Sequence, residues 1–286
     1  MSKETSVIIS DALGKLVPKY SEPQPSRKIE LQNFNLIFND LPESFNGFKI
    51  CHLSDLHNAN LFGKKPDLLE KISQEKPDIF IISGDSINNN QINNATKTIL
   101  TLKSVVDPKN IFIVAGNHEF YRENHQEKSK IRNFIEILQE NKINILLNDS
   151  REIERNGDSI FIMGVEDPLG FKNETQYLKD SLDYLIDKIP SDKFKILISH
   201  RPEKINLYSQ YEIKLVFSGH AHGGQIKFFN QGLFAPNQGL FPKYTEGVHT
   251  RKNLQEIVSP GLSNEYIFPR LNNPGKIYFI TLNNSN

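Results

Sequence analysis

Five short runs of the chain, residues 48–53, 78–82, 111–114, 194–198 and 213–217, are apolar almost without interruption. A strand with one face in water alternates apolar and polar residues, so a strand that fails to alternate is covered on both faces. Between the runs lie segments with helical spacing: 66–74, where Leu68, Leu69 and Ile72 share a face behind Pro66, then 95–106, 128–141 and 174–189. Buried strands alternating with helices restrict the chain to a layered α/β fold. Further strands are expected at 29–38 and 143–147, in a hairpin about Asn156-Gly157, and at 225–229, 256–259 and 276–281. No internal repeat is visible. Residues 1–27 read as an N-terminal extension and linker, and 28–286 as a single domain, a length that α/β units reach.

Each apolar run stops at a small residue and is followed by polar residues of metal-ligand type. They are Asp55 and His57, Asp85, Asn117 and His118, His200, and His220 with His222. In an open α/β sheet the carboxyl ends of the strands line one crevice, so these residues can converge there. Five of the eight histidines fall at these positions. His220 and His222 are two apart, which in extended backbone aims both rings the same way, and Gly219, Ala221, Gly223 and Gly224 add no bulk. Taken alone, the pair reads equally well as ordinary turn histidines. Five strand ends that all desolvate polar groups needing partners point instead to a metal centre.

Carboxylate, imidazole and amide oxygen in mixture suit a divalent first-row ion such as Mn, Fe or Zn, and the single cysteine excludes a thiolate set. Asp55, His57, Asp85, Asn117, His200, His220 and His222 are too many for one tetrahedral ion, whereas two ions sharing Asp85 would use them all. A pair about 3.5–4 Å apart lowers the pKa of a bridging water and clamps the attacking and leaving oxygens of a phosphoryl displacement.

The blocks Ser54-Asp55-Leu56-His57, Gly84-Asp85, Gly116-Asn117-His118-Glu119, His200 and Gly219-His220-Ala221-His222 resemble, in order, the signature of the calcineurin-like metallophosphoesterases. The stretch from Gly223-Gly224-Gln225-Ile226 through 235–244 is similar to a bacterial branch of that family, often membrane-associated, and to some UDP-diacylglucosamine pyrophosphatases. The resemblance implies a four-layer α/β sandwich of two mixed sheets flanked by helices, with the metal site at the carboxyl ends of the strands. It implies that one ion takes Asp55, His57, Asp85 and His222, and the other Asp85, Asn117, His200 and His220. His118 then stabilises the transition state or protonates the leaving oxygen, in hydrolysis of a phosphodiester, phosphomonoester or pyrophosphate bond by a metal-bridging hydroxide. Three departures stand out. Asn88 occupies a position where many relatives are acidic, Pro260 stands where an arginine is common, and the N-terminal membrane anchor of related chains is missing.

Thirty-four basic residues balance 34 acidic ones, so no specific nucleic-acid partner is indicated. Every ligand block is intact, which argues against a non-catalytic metal-binding regulatory module. Residues 1–27 carry no long apolar run, so neither a signal peptide nor a spanning helix fits, and the expected location is cytoplasmic or peripheral to the membrane. Ile8, Ile9, Leu13, Leu16 and Val17 fit a short amphipathic helix. The aromatic segment 228–244 has two readings: a hairpin packed on the body, or an apolar lip that accepts a lipid tail or meets a bilayer. Arg201 likewise reads as a substrate-phosphate contact or a salt-bridged rim residue. His52 reads as a structural hydrogen-bonding residue, His125 and His249 as surface residues, Glu119 as a favourable charge at a helix start or else a group that orients His118, and Cys51 as a small buried hydrophobe.

Overall fold

The computed structural model describes residues 24–88, 91–120, 125–264 and 270–285, and in it the apolar runs divide their side chains between two buried faces. The main strands are β1 (Ile29–Phe38), β2 (Phe48–Leu53), β3 (Ile79–Ile82), β4 (Ile111–Ile113), β5 (Asn144–Ile145), β6 (Asp149–Arg155), β7 (Asp158–Gly164), β8 (Phe194–Ile198), β9 (Leu215–Ser218), β10 (Gly247–Arg251), β11 (Leu254–Val258) and β12 (Gly275–Asn284). They form two six-stranded sheets, ordered β1-β12-β2-β3-β4-β5 and β10-β11-β9-β8-β7-β6. Both are mixed. β2, β3 and β4 run parallel in the first, and β7, β8 and β9 run parallel in the second. The longer helices are α1 (Asp67–Gln74), α2 (Asn93–Thr101), α3 (His125–Glu140) and α4 (Glu174–Ile186).

Period-two alternation assigns each residue to a layer. Ile79 and Ile81 of β3 join Phe194, Ile196 and Ile198 of β8 and Leu215 and Phe217 of β9 in one cluster between the sheets. Phe80 and Ile82 face the other way, onto Leu68 and Ile72 of α1, Ile99 of α2 and Phe134 and Leu138 of α3. On the second sheet, Leu197 and Val216 turn outward onto Leu178, Leu182 and Leu185 of α4. The result is helix, sheet, sheet, helix, the expected four-layer α/β sandwich. Cys51 is buried in the first outer cluster. His52 lies in the interior, where Nε2 is 2.8 Å from Ser83 Oγ and the ring meets Phe217 edge-on.

Local differences from the sequence reading have local causes. The helix expected over 95–106 is α-helical only to Thr101, then tightens into a 3₁₀ turn over Leu102–Ser104. Pro108 disfavours helical backbone at the residue before it, and Asp107 caps the next turn instead. The strand expected over 143–147 shrinks to two residues. Part of the proline-rich linker belongs to the body: Gln24–Pro25 pairs antiparallel with Ser263–Asn264, and Ser26 Oγ accepts from the Gly275 N–H. The amphipathic helix read over 8–17 lies outside the described residues.

One buried carboxyl sits away from the strand ends. Glu256, on the helix-facing side of β11, accepts from Ser218 Oγ at 2.6 Å through Oε1, while Oε2 has no hydrogen-bond partner. Burial pushes its pKa well above the ordinary glutamate value. Its folded-state pKa is the higher one, so its contribution to stability is complete below the unfolded value of about 4.3 and is lost as pH rises. The melting temperature of Glu256→Gln relative to the parent is therefore expected to be higher at pH 8 than at pH 5. Thermal denaturation across that range checks this; a constant difference would refute it.

Candidate metal centre

The parallel strands deliver their carboxyl ends to one place. β2 leads to Asp55 and His57, β3 to Asp85, β4 to Asn117 and His118, β8 to His200, and β9 to His220 and His222. Two groups of ligand atoms result, each lying within 4.8 Å of one another: Asp55, His57, Asp85 and His222, and Asp85, His200 and His220. Asp85 belongs to both. Every one of these side chains is buried.

The backbone that carries them is strained. Asp55, His57, Asp85, His220 and His222 all adopt positive φ, between 43° and 65°. Single non-glycine residues in this region cost about 1–3 kcal/mol each and persist only where surrounding contacts over-determine them. Those contacts are visible. The Asp55 N–H donates to the Gly84 carbonyl at 3.0 Å, and the His57 N–H to the Asp85 carbonyl at 2.9 Å. The Asp85 N–H donates to Glu119 Oε2 at 3.1 Å. Glycine is required where the strand ends touch: a Cβ on Gly219 would lie 2.0 Å from Ser54 Oγ and 2.5 Å from Asp55 Oδ2.

Distances within each group are those of donors around a common point. His57 Nε2 and His222 Nε2 are 3.2 Å apart, and His222 Nε2 is 3.2 Å from Asp55 Oδ1. His200 Nε2 is 3.1 Å from Asp85 Oδ2. Donors bound to one first-row ion at about 2.0–2.1 Å stand roughly 3–3.4 Å from one another. His200 is oriented by its far side, where Nδ1 donates to the Ser83 carbonyl at 2.7 Å. Asp55 Oδ2 and Asn117 Oδ1 are buried without a hydrogen-bond partner, a costly state for polar atoms that a cation would relieve. The donor set fits a divalent first-row ion.

Electrostatics agree. Burial alone would raise the Asp85 carboxyl, but the imidazoles of His200 and His118 hold it well below the usual carboxylate range. Burial would lower His200, yet the Asp85 carboxylate raises it to about 10, so the apo centre stores a proton that a cation would displace. Burial, with the charges of His200 and Arg201, pushes His220 well below its ordinary value.

His118 stands apart from the buried set. Its side chain is 30% exposed, its Nε2 is 3.9 Å from Asp85 Oδ2, and its ring meets His57 edge-on. It lines a cavity of about 180 Å³ with Asp85, Asn117, Arg201, His220 and Asn237. Arg201 is no rim residue: it is 1% exposed, and Asp167 grips it through two hydrogen bonds of 2.5 and 2.7 Å. His249 is half-buried, packed edge-on against Tyr244, and the side chain of His125 lies outside the described ones.

Residues 48–224 match the calcineurin-like phosphoesterase family. The chain belongs to that family. Its members are metal-dependent phosphoric ester hydrolases. An uncharacterized metallophosphoesterase of Helicobacter pylori strain J99 is 29% identical over 238 residues, 82% of this chain and 59% of that protein. The Bacillus subtilis metallophosphoesterase YkuE is 26% identical over 85% of this chain and 81% of its own length. A zebrafish (Danio rerio) transmembrane protein with a metallophosphoesterase domain is 25% identical over 83% of this chain and 53% of its length. The chain thus spans between about half and four fifths of these relatives.

Several residues of this phosphoesterase site escaped the sequence reading. Glu119 is not simply a helix-start charge. It is 2% exposed, and its carboxylate accepts from the Asp85, Ile87 and Gly116 N–H groups. Burial, reinforced by the Asp85 charge, raises it to about 7. Asp167 follows β7, which runs parallel to β8 and so ends at the same edge; the sequence shows β7 only as a hairpin arm, and the parallel pairing that brings Asp167 to the site is visible only in the fold. Arg270, at the far side of the 258–264 stretch that lacks an arginine, places Nη2 3.4 Å from His222 Nδ1. Asn237 reaches His220 from the aromatic segment.

Added Mn²⁺ or Zn²⁺ is expected to raise the melting temperature, with about 2.7 kcal/mol of stabilisation at a hundredfold excess over Kd. Asp85→Ala should abolish that gain. Thermal shift with and without a chelator reads both, and a parent protein indifferent to every first-row ion would contradict the assignment.

Proposed function

We propose that the chain hydrolyses a phosphoester bond with two divalent ions, one held by Asp55, His57, Asp85 and His222, the other by Asp85, Asn117, His200 and His220. The observation that carries this reading is the position of Asp85, one carboxylate within ligand distance of both groups. Bound there, the ions would supply Lewis acidity toward the phosphoryl oxygens and make a shared water acidic enough to act as nucleophile near neutral pH. The chain's own part is positioning and proton transfer. His118, the half-buried imidazole at the cavity, holds a proton at Nε2 and gives it to the leaving oxygen. Arg201 adds positive charge to the cavity wall through Nη1, its other nitrogens being held by Asp167. The cavity is small, so the phosphoryl group enters and the rest of the substrate stays at its mouth.

Pro236 and Asn237 of the aromatic segment line the cavity, which supports reading its substrate as lipid-linked, for example a pyrophosphate such as UDP-diacylglucosamine. Two short hairpins, Lys227–Phe228 with Gln231–Gly232 and Phe234–Ala235 with Gly239–Leu240, occupy the aromatic segment. Phe229 is fully exposed, and Phe228, Leu240 and Phe241 are each more than half exposed. Large apolar side chains left exposed in one segment are a mark of a binding surface. This supports the lip reading of 228–244 and a peripheral contact with the cytoplasmic face of a membrane. Among the described residues no helix is long and apolar enough to cross a membrane, and the name of the zebrafish relative places that protein in one.

His118→Ala is expected to lower turnover of an aryl phosphodiester by about 10²–10⁴-fold while elemental analysis still finds two ions per chain. Loss of metal together with activity would remove the proposed role of His118. Phe229→Ser and Phe241→Ser should each weaken binding to anionic vesicles by roughly tenfold, leaving hydrolysis of the soluble ester unchanged. Equal loss on both substrates would argue against a lipid-facing lip.

A further inference from the structure

One ring nitrogen of His220 faces two groups of opposite character. This Nε2 lies 3.3 Å from Arg201 Nη1 and 3.4 Å from Asn237 Oδ1. A guanidinium nitrogen can only donate, and an amide oxygen can only accept. If Nε2 is bare, it suits Arg201; the one ring proton then sits on Nδ1, which has no lone pair to give a cation. If Nε2 carries the proton, it suits Asn237, and Nδ1 is free to ligate.

We propose that Asn237 is a positioning residue: by accepting the Nε2 proton of His220 it selects the ring tautomer able to bind an ion, and so sets the affinity of the group formed by Asp85, Asn117, His200 and His220. The inference rests on the two-ion reading above. The other histidine of the same group is arranged on the same principle. His200 gives its far proton to the Ser83 carbonyl and turns Nε2 toward Asp85. In His200, and by this proposal in His220, an sp² oxygen fixes which nitrogen is left to ligate.

Asn237 is built into place. It stands at the turn of the Phe234–Ala235 and Gly239–Leu240 hairpin with φ of 60°. The neighbouring Gln238 is tied to Tyr244 twice, through Nε2 to the carbonyl at 2.8 Å and through Oε1 from the N–H at 2.9 Å. Ala235 is fully buried against Ala221, the residue between the two histidines, and Val258. Arg201 cannot replace the lost acceptor, because it has none, and its pairing with Asp167 keeps its charge against the ring. Without Asn237, an Nε2 proton would face only a cation.

The test is a Co²⁺ titration of the apo protein, followed by the visible absorption of the bound ion and by equilibrium dialysis. The parent is expected to take two equivalents. Asn237→Ala, and Asn237→Leu, which fills the space without an acceptor, should bind the first equivalent as the parent does and the second about 10–100-fold more weakly. Asn237→Asp retains an acceptor oxygen and should restore the second equivalent and its absorption band. Asn237→Gly, which accepts the φ of 60° and carries no acceptor oxygen, should fail as Ala and Leu do, whereas a purely structural role in the turn would let Gly match the parent. If the parent binds two ions and Asn237→Ala or Asn237→Leu matches it, the role of Asn237 falls and the two-ion reading stands. If the parent binds a single ion, both fall. If Asp behaves like Ala, the tautomer argument is overturned.

Discussion

A single carboxylate, that of Asp85, holds the two halves of the site together. Oδ1 accepts from the His118 N–H at 2.9 Å, while Oδ2 faces His200 at 3.1 Å, His57 at 3.8 Å and His118 at 3.9 Å. Those partners arrive on β2, β4 and β8, from both sheets. For one side chain to reach all of them, the chain after β3 must turn abruptly. Gly84 does so with φ of 104°, and a Cβ there would stand 2.6 Å from the His200 ring. The fold's parallel strands make sense as a way of bringing several such turns to one point without any of them crossing another.

Strain and support are distributed accordingly. Positive φ in five of the seven candidate ligands stores unfavourable energy where the chemistry is, and the packed interior holds it there. Glu119 is the main local support, since its carboxylate receives N–H groups from both the β3 and β4 strand ends. Buried near Asp85, it is itself driven toward neutrality. A carboxyl that serves only to hold backbone can tolerate that, because the hydrogen bonds it accepts survive partial protonation in a way an ion pair does not.

Much of this was legible in the sequence, for physical reasons that differ by element. A layered α/β fold was readable because both faces of β3, β8 and β9 are covered, which leaves an unbroken apolar signature in 79–82, 194–198 and 215–217; the count of four layers came only with the family resemblance. The seven convergent side chains were readable because ligand-type residues after a buried strand are conspicuous. Glu119, Asp167 and Asn237 were not, since their roles depend on partners 32 to 34 residues away for the first two and 17 for the third. Nothing in local periodicity reports such pairings. Arg270 is the sharpest case: the sequence showed a missing arginine near Pro260, and only the fold shows a guanidinium arriving beside His222 from beyond that stretch.

The hairpin joining Phe234–Ala235 to Gly239–Leu240 has an inside and an outside separated by little more than one backbone. Inward, Ala235 packs on Ala221 and Asn237 touches His220; outward, Phe234 and Leu240 meet solvent. So short a loop has no slack with which to absorb a push on one side without transmitting it to the other. The rim and the floor of the cavity are, mechanically, one part.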